Sequence, residues 1–281
     1  MTARSARIRP SRVALNLAAV VVIVCAVFPV YWMVNTSLLP ASATKSATPH
    51  LWPDQFTLKN FATAFSDGGF VTALGVSVTV TLLTLVVSLV FAFLAAVAVS
   101  RFRFRSRRTF IVAILVIQMI PAESLIISTF RVLDGWALVN TIVGLTFVYI
   151  ALVLPFTIWT LRGFVNGVPA DLEEAAMIDG CSRTGAFWRV TFPLLAPGLV
   201  STGVFAFIQA WNEFVFALVI MTRPESQTLP IWLRSFVQAT KATDWAVVMA
   251  ASTLMAIPVI IFFLLVQHRM ASGLMSGAVK G

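Results

Sequence analysis

The chain has 281 residues, of which 59% are hydrophobic and only 11% are charged. A water-soluble domain carries roughly a quarter of its residues as charged side chains to cover its surface, so this composition excludes a soluble globular protein. The 20 Lys and Arg residues exceed the 11 Asp and Glu residues, giving a net charge of +9. The cations lie between apolar blocks, which favours a membrane protein over one that binds nucleic acid.

Six apolar blocks follow one another, at residues 13–34, 72–100, 109–127, 141–161, 198–221 and 246–267. As a helix, each is long enough to cross a hydrocarbon core of about 30 Å. Lipid-embedded backbone must satisfy its own hydrogen bonds, and these blocks lack the alternation of barrel strands. We therefore predict an all-α, polytopic membrane protein with a transmembrane domain at 13–267, an N-tail at 1–12 and a C-tail at 268–281.

The first block follows four arginines and precedes Ala41-Ser42-Ala43, which are features of a secretory signal peptide. Its apolar stretch is about twice the usual signal length, which favours an uncleaved anchor. The loop that follows, at 50–70, has a short apolar pattern typical of a helix lying on the membrane surface.

The Arg-rich run 101–108 follows the second block and is the strongest topological signal. Assigning the cations to alternating sides places 14 with the two tails and the loops 101–108 and 162–197, and 6 with the other loops. By the positive-inside rule, both termini are predicted to be cytoplasmic.

The third block contains Pro121, which removes a backbone hydrogen bond, and Glu123 near its outer end. Glu123 either reaches the membrane interface or lines a solute vestibule.

The loop at 162–197 differs in composition from the apolar blocks. Asp171 is suited to cap a helix start, Glu174 three residues later resembles a capping box, and Gly180 is suited to the left-handed position after a helix. We predict a helix of about two turns at 172–179. From these features alone, it either covers the end of the bundle or contacts a partner.

The fifth block collects Gln209, Asn212 and Glu213 at helical spacing on one face. An acid inside the membrane is costly and should face the bundle interior or water. Three interpretations remain open: a hydrogen-bond network between helices, a pathway lining or gate, and proton coupling. The loop at 222–245 is too polar to be embedded and is long enough to reach outward to a partner.

Glu174-Ala175-Ala176, Gly180 four residues on, and Val190-Thr191-Phe192-Pro193 after nine more residues resemble the EAA signature of ATP-binding-cassette importer permeases. Phe192 replaces the usual leucine. Ser100–Phe104, Trp211–Phe214 and the ending 276–281 resemble the carbohydrate-uptake, maltose-type branch. The resemblance covers nearly the whole chain and implies the type I importer permease fold in a bacterial plasma membrane.

The resemblance also implies that the 172–179 helix is a coupling helix docking on an ATPase subunit. The docking residues would be Leu172, Glu173, Glu174, Ala175, Ala176, Met177, Asp179 and Gly180, with 278–281 as a second contact. The implied partners are two ATP-binding subunits, a second permease, and an extracytoplasmic solute-binding protein or lipoprotein that meets Pro230 and Trp232. Membrane lipid is a further partner, and the cargo is a sugar or polyol.

The chain has no phosphate-binding loop of the Gly-x-x-x-x-Gly-Lys-Ser/Thr type. ATP and Mg²⁺ are therefore expected on the ATPase subunits, with no cofactor, metal or catalytic residue in this chain. The rival interpretation is a secondary transporter coupled to protons or ions through Glu213. A membrane enzyme has little support, because the sequence has no cluster of nucleophile, base or metal ligands.

Overall fold

The computed structural model describes residues 10–46, 48–66, 69–237 and 243–278. Residues 1–9 of the predicted N-tail, Lys241 and residues 279–281 of the second predicted ATPase contact lie outside the described residues. Within the described ranges the helices are α1 (Pro10–Ser37), α2 (Lys59–Ser66), α3 (Phe70–Arg101), α4 (Arg107–Gln118), α5 (Ile126–Gly135), α6 (Ile142–Gly167), α7 (Asp171–Ile178), α8 (Arg183–Ala186), α9 (Phe192–Asn212), α10 (Val215–Ile220), α11 (Leu229–Arg234) and α12 (Trp245–Ala278).

Five helical stretches in the described part are long and apolar enough to cross a membrane. They are Ala14–Ser37, Phe70–Arg101, Ile142–Gly167, Arg183–Asn212 and Trp245–His268. A sixth crossing results if the bent pair Arg107–Gln118 and Ala122–Gly135 is counted as one. The prediction of an all-α, multi-pass membrane protein is confirmed for these residues.

The third predicted span, at 109–127, is not one straight helix. Its two segments meet at a bend of 88°. Pro121 lies at the bend with ψ of 117°, an extended value, and it has no N–H to continue a helix. The proline thus produces a break larger than the kink that the sequence suggests.

The fifth predicted span, at 198–221, differs at both ends. A π-helical turn, Phe187–Thr191, joins α8 to α9, so the helix begins well before residue 198. Helix α9 ends at Asn212, and Glu213 has an extended backbone with ψ of 127°. The next segment, α10, is therefore a separate short helix.

The chain divides into two compact units, which we describe separately. The first comprises Met1–Asp67 and Ser235–Ala256. In it, the buried Asn60 amide donates to the carbonyls of Ser37 at 2.7 Å and Leu39 at 2.8 Å. These bonds fix α2 to the end of α1.

The second unit comprises Gly68–Arg234 and Ile257–Gly281 and holds the packed core. Helices α3, α6 and α9 pack together through small or β-branched side chains, including the fully buried Ala92, Ala96 and Val165. At Gly198, an added Cβ would lie 2.4 Å from the Phe164 ring. Such close approach is typical of helices packed within a membrane.

Candidate functional site

Helix α7 lies where the sequence predicts the docking helix, but its start differs from the prediction. Ala170 is the N-cap residue, and no side chain caps the helix. Asp171 is the first helical residue, so the expected capping box with Glu174 does not form. Asp171, Glu173 and Glu174 all lie in the first turn, where their charge complements the helix dipole.

The end of α7 confirms the predicted role of Gly180. Its φ is +91°, a value that side chains disfavour. The Gly180 N–H donates to the Met177 carbonyl at 3.1 Å, and the Cys181 N–H donates to the Ala176 carbonyl at 3.0 Å. This pair of bonds is a Schellman motif, which stops the helix and reverses the chain.

Helix α7 carries several exposed apolar side chains. Ile178 is 86% exposed, Leu172 41% and Met177 38%. Glu174, Ala175, Asp179 and Gly180 are exposed as well, and Ala176 is half-buried. Exposed apolar side chains together with exposed acids on so short a helix fit a protein contact.

Glu173 does not belong to that exposed surface. Its side chain is only 16% exposed, and its carboxylate lies 3.2 Å from Nε of Arg101. The Thr191 hydroxyl donates to the same carboxylate oxygen at 2.8 Å. The Glu173 carboxylate is therefore engaged inside the chain by Arg101 and Thr191, and its role in docking stays a prediction.

These contacts form what we call the Arg101–Glu173–Thr191 network. Arg101 ends α3, Glu173 lies on α7, and Thr191 belongs to the π-helical turn that leads into α9. The Arg101 guanidinium also donates to the Val168 carbonyl at 3.0 Å. The network ties α7 to two membrane-crossing helices.

A cavity of about 690 Å³ lies between the bent pair α4 and α5 and the helices α6 and α9. We call it the membrane cavity. Most of its lining is apolar, but Gln118, Ser128, Thr129 and Gln209 bring polar side chains to it. Polar groups at membrane depth are tolerated where they face a water-filled space or a ligand.

The polar face predicted for the fifth span does not form. Gln209 lines the membrane cavity, as a pathway residue would, but α9 ends at Asn212. The Asn212 amide donates back to the Ile208 carbonyl at 2.9 Å. Asn212, Glu213 and Glu123 are absent from the described cavity lining. The extended backbone at Glu213 breaks the helical spacing on which the predicted face depends.

Glu213 instead caps α10. Its carboxylate oxygens accept the N–H groups of Phe216 at 2.8 Å and Ala217 at 3.0 Å. The Tyr149 hydroxyl of α6 donates to the Glu213 carbonyl at 3.3 Å. These contacts favour the interpretation of a structural network over those of pathway and proton coupling.

The part of the predicted outward loop that belongs to the second unit, up to Arg234, is folded into that unit. Trp232 is 3% exposed and packs on Phe70, with ring centroids 5.1 Å apart. It is therefore not available to meet a binding protein, whereas Pro230 is half-buried. Thr222–Glu225 are an exposed part of the loop.

Asn140 holds this exposed part. Its side-chain oxygen accepts bonds from the Arg223 N–H at 2.9 Å and the Ser226 hydroxyl at 3.0 Å. Its φ is +61°, a conformation that asparagine tolerates better than most residues. Asn140 was not among the site residues predicted from the sequence. Its position just ahead of an apolar block was the signal that could have identified it.

Among the described residues, no group of three or more His, Cys, Asp and Glu side chains is placed to hold a metal ion.

Residues 88–275 match the family of binding-protein-dependent transport system inner membrane components. The chain belongs to this family. It is 47% identical over 266 residues to the diacetylchitobiose uptake system permease protein DasC of Streptomyces coelicolor, covering 95% of this chain and 96% of the relative. It is 36% identical to the trehalose/maltose transport system permease protein MalG of Thermococcus litoralis, covering 96% and 97%.

A solved bacterial transporter that imports the acidic polysaccharide alginate contains a chain of the same fold. The TM-score is 0.78 at 23% identity, covering 95% of this chain and 99% of that one. The resemblance to importer permeases inferred from the EAA pattern is confirmed. Family membership also decides against the rival of a secondary transporter.

Proposed function

We propose that this chain is the membrane-spanning permease subunit of an ATP-driven, binding-protein-dependent importer for a sugar, oligosaccharide or related polyol. The observation that carries the proposal is the set of exposed apolar side chains on α7, a helix fixed to α3 and α9 through the Arg101–Glu173–Thr191 network. The named relatives handle diacetylchitobiose and trehalose or maltose, which supports a carbohydrate cargo.

In this proposal α7 is the coupling helix and lies in the cytoplasm with both termini. Leu172, Met177 and Ile178 enter a groove on one of two ATPase subunits, and Glu174 and Asp179 meet its cations. The ATPase subunits bind ATP and Mg²⁺. When they close, α7 moves, and the network carries that movement into α3 and α9.

The membrane cavity is this chain's half of the translocation pathway, and a second permease subunit supplies the other half. Gln118 and Gln209 offer amide groups that can hydrogen-bond sugar hydroxyls in place of water. A solute-binding protein delivers the cargo at the outer face, where Thr222–Glu225 and Pro230 are accessible to it.

Proton coupling through Glu213 is disfavoured on physical grounds. A coupling acid must take up and release a proton during the cycle, but this carboxylate accepts two backbone N–H bonds. Protonation would weaken both bonds and uncap α10.

The test is transport by the purified chain with its co-purifying subunits in proteoliposomes. We expect labelled sugar to accumulate with binding protein and internal ATP, and not with an ion gradient alone. Glu174→Lys should abolish ATP-driven uptake while the chain still inserts, and Arg131→Gln serves as a surface-charge control. Uptake driven by an ion gradient without an ATPase would overturn the proposal.

Topology is tested separately. Cys25 and Cys181 are the two native cysteines, so the Ala175→Cys variant is built with both replaced by serine. An impermeant maleimide should label this variant only after the cells are opened. Labelling in intact cells would place α7 outside and contradict the coupling role.

A further inference from the structure

A second cavity, of about 520 Å³, lies on the surface of the second unit along α3. We call it the α3 groove. One wall is α3 from Leu89 to Ala98, and the opposite wall includes Trp188 and Phe192 of the π-helical turn and α9. Every lining side chain is apolar, so the groove differs from the membrane cavity and is poorly suited to a sugar.

The groove has the length of one leaflet. The lining runs along α3 from Leu89 to Phe102 just past its end, and at 1.5 Å per residue this is roughly 20 Å. Half of a hydrocarbon core is about 15 Å. One acyl chain standing in a single leaflet would therefore fill the groove from its mouth to its floor.

One arginine contacts the Phe102 end of the groove, and two more are sequence neighbours of its lining residues. The Arg183 guanidinium lies 5.9 Å from the centroid of the Phe102 ring, which lines the groove. Arg103 and Arg189 are sequence neighbours of the lining residues Phe102 and Trp188, and all three arginines are exposed.

These arginines have no carboxylate partner in the part of the chain that the structure describes. The ion pairs there are His50–Asp54 and Arg101–Glu173. The side chain of Trp188 is 54% exposed beside them, and tryptophan is enriched where the membrane meets water. An apolar slot with unpaired arginines and an interfacial tryptophan at its mouth matches the two ends of an anionic lipid.

We propose that the α3 groove binds one anionic phospholipid. An acyl chain lies against Leu94 and Ala98, and the phosphate accepts hydrogen bonds from Arg183, with Arg103 and Arg189 adding positive charge. A zwitterionic lipid gains less, because its own ammonium competes for the phosphate. Basic pockets beside transmembrane helices bind anionic head groups for the same reason.

A helix of the second permease subunit is the alternative occupant. It would have to bring several carboxylates to a membrane interface to satisfy the arginines, whereas a phosphate does so with one group. The bound lipid also acts on coupling, because Trp188 and Thr191 belong to the same π-helical turn. Filling the groove steadies the turn from which Thr191 donates to Glu173.

The experiment is native mass spectrometry of the chain purified from membranes with the subunits that accompany it. The complex is delipidated in detergent and then titrated with phosphatidylglycerol or with phosphatidylcholine of the same acyl chains. We expect one phosphatidylglycerol per copy of this chain to be retained in preference to phosphatidylcholine.

Two variants test the two ends of the site. Arg183→Gln should lower phosphatidylglycerol retention at least about tenfold, the loss expected for one charge-assisted hydrogen bond. Ala98→Trp, which fills the groove, should lower retention of both lipids. Arg131→Gln, the same type of change at an exposed arginine on α5, should leave retention unchanged.

Equal retention of the two lipids by the unaltered chain would overturn the proposal. So would unchanged retention in both Arg183→Gln and Ala98→Trp. Cross-linking of a Leu94→Cys variant to a second permease subunit in the resting complex would also overturn it, by identifying the groove as a subunit contact. None of these experiments measures ATP-driven uptake, so the lipid site and the proposed function can fail independently.

Discussion

Replacing Glu173 with glutamine should destabilise this chain, whereas the same replacement at the adjacent Glu174 should not. The two residues have the same chemistry and lie in the same turn of α7. Glu173 is bound within the chain by Arg101 and Thr191, and Glu174 is exposed. The pair therefore separates an internal role from a docking role.

The expected magnitude follows from the geometry of the ion pair. At 3.2 Å between Nε and the carboxylate oxygen, the attraction is roughly 5 kcal/mol at an effective dielectric constant of about 20. Desolvation and partial exposure, 15% and 16% for the two side chains, reduce the net value to about 1–3 kcal/mol. Glutamine retains the bond from Thr191 but leaves the Arg101 charge without a counter-ion.

The assay is thermal unfolding of the purified chain in detergent, followed by tryptophan fluorescence. A loss of about 2 kcal/mol should lower Tm by roughly 4–8 °C in a chain of this size. The Glu174→Gln variant should unfold at the same temperature as the unaltered chain, but it should no longer associate with the ATPase. In a double-mutant cycle with Arg101→Gln, the coupling energy should exceed about 1 kcal/mol.

Equal Tm values for Glu173→Gln and Glu174→Gln would refute this reasoning. They would mean that the Arg101–Glu173 contact contributes nothing in the folded chain. A coupling energy near zero would lead to the same conclusion, because the two side chains would then act independently.

Three further predictions address other positions. Gly180→Ala should destabilise the end of α7 by about 1–2 kcal/mol, because the φ of +91° at this position is strained for alanine although no atom lies within 4 Å of the added Cβ. Limited proteolysis at the loop should become faster, and Gly180→Asn should have a smaller effect. Gly198→Ala should cost about 1–3 kcal/mol of stability, measured by Tm, because the added methyl group clashes with Phe164. Gly163→Ala should cost nothing, because no atom lies within 4 Å of the added Cβ there, and equal effects of the two changes would contradict the packing described. Glu213→Ala should release the N-terminus of α10 and lower Tm by an amount corresponding to about 1–2 kcal/mol, as loss of a helix cap does, while Gln209→Leu should lower uptake without lowering Tm; a pathway role for Glu213 would predict the reverse.

The membrane class, the helical architecture and the position of helix α7 could all be predicted from the sequence. Apolar blocks long enough to cross a bilayer leave few structural alternatives, because lipid cannot satisfy an open backbone. The left-handed conformation of Gly180 could be predicted as well, because the backbone conformation is a local property of the turn. The EAA spacing identified the family for a similar reason, because its residues fall within one short segment.

The sequence alone could not show where a side chain points when that depends on contacts distant in sequence. Glu173 and Glu174 are indistinguishable along the chain, and only the position of Arg101, at the end of α3, decides which of them is turned inward. In the sequence, Trp232 lies in a polar loop and is expected to be exposed, whereas in the structure it packs against Phe70.

What the sequence by itself determined is the set of segments that must be helical and embedded, because that choice is made by local hydrophobicity and backbone hydrogen bonding. What only the tertiary structure decided is where those helices break and which polar groups they share. From the sequence alone, Asn212 and Glu213 are equally compatible with a continuous helix. The break follows from Glu213 capping α10 while Tyr149 bonds its carbonyl. The contact with Tyr149 brings together residues 64 positions apart, so no local pattern encodes it.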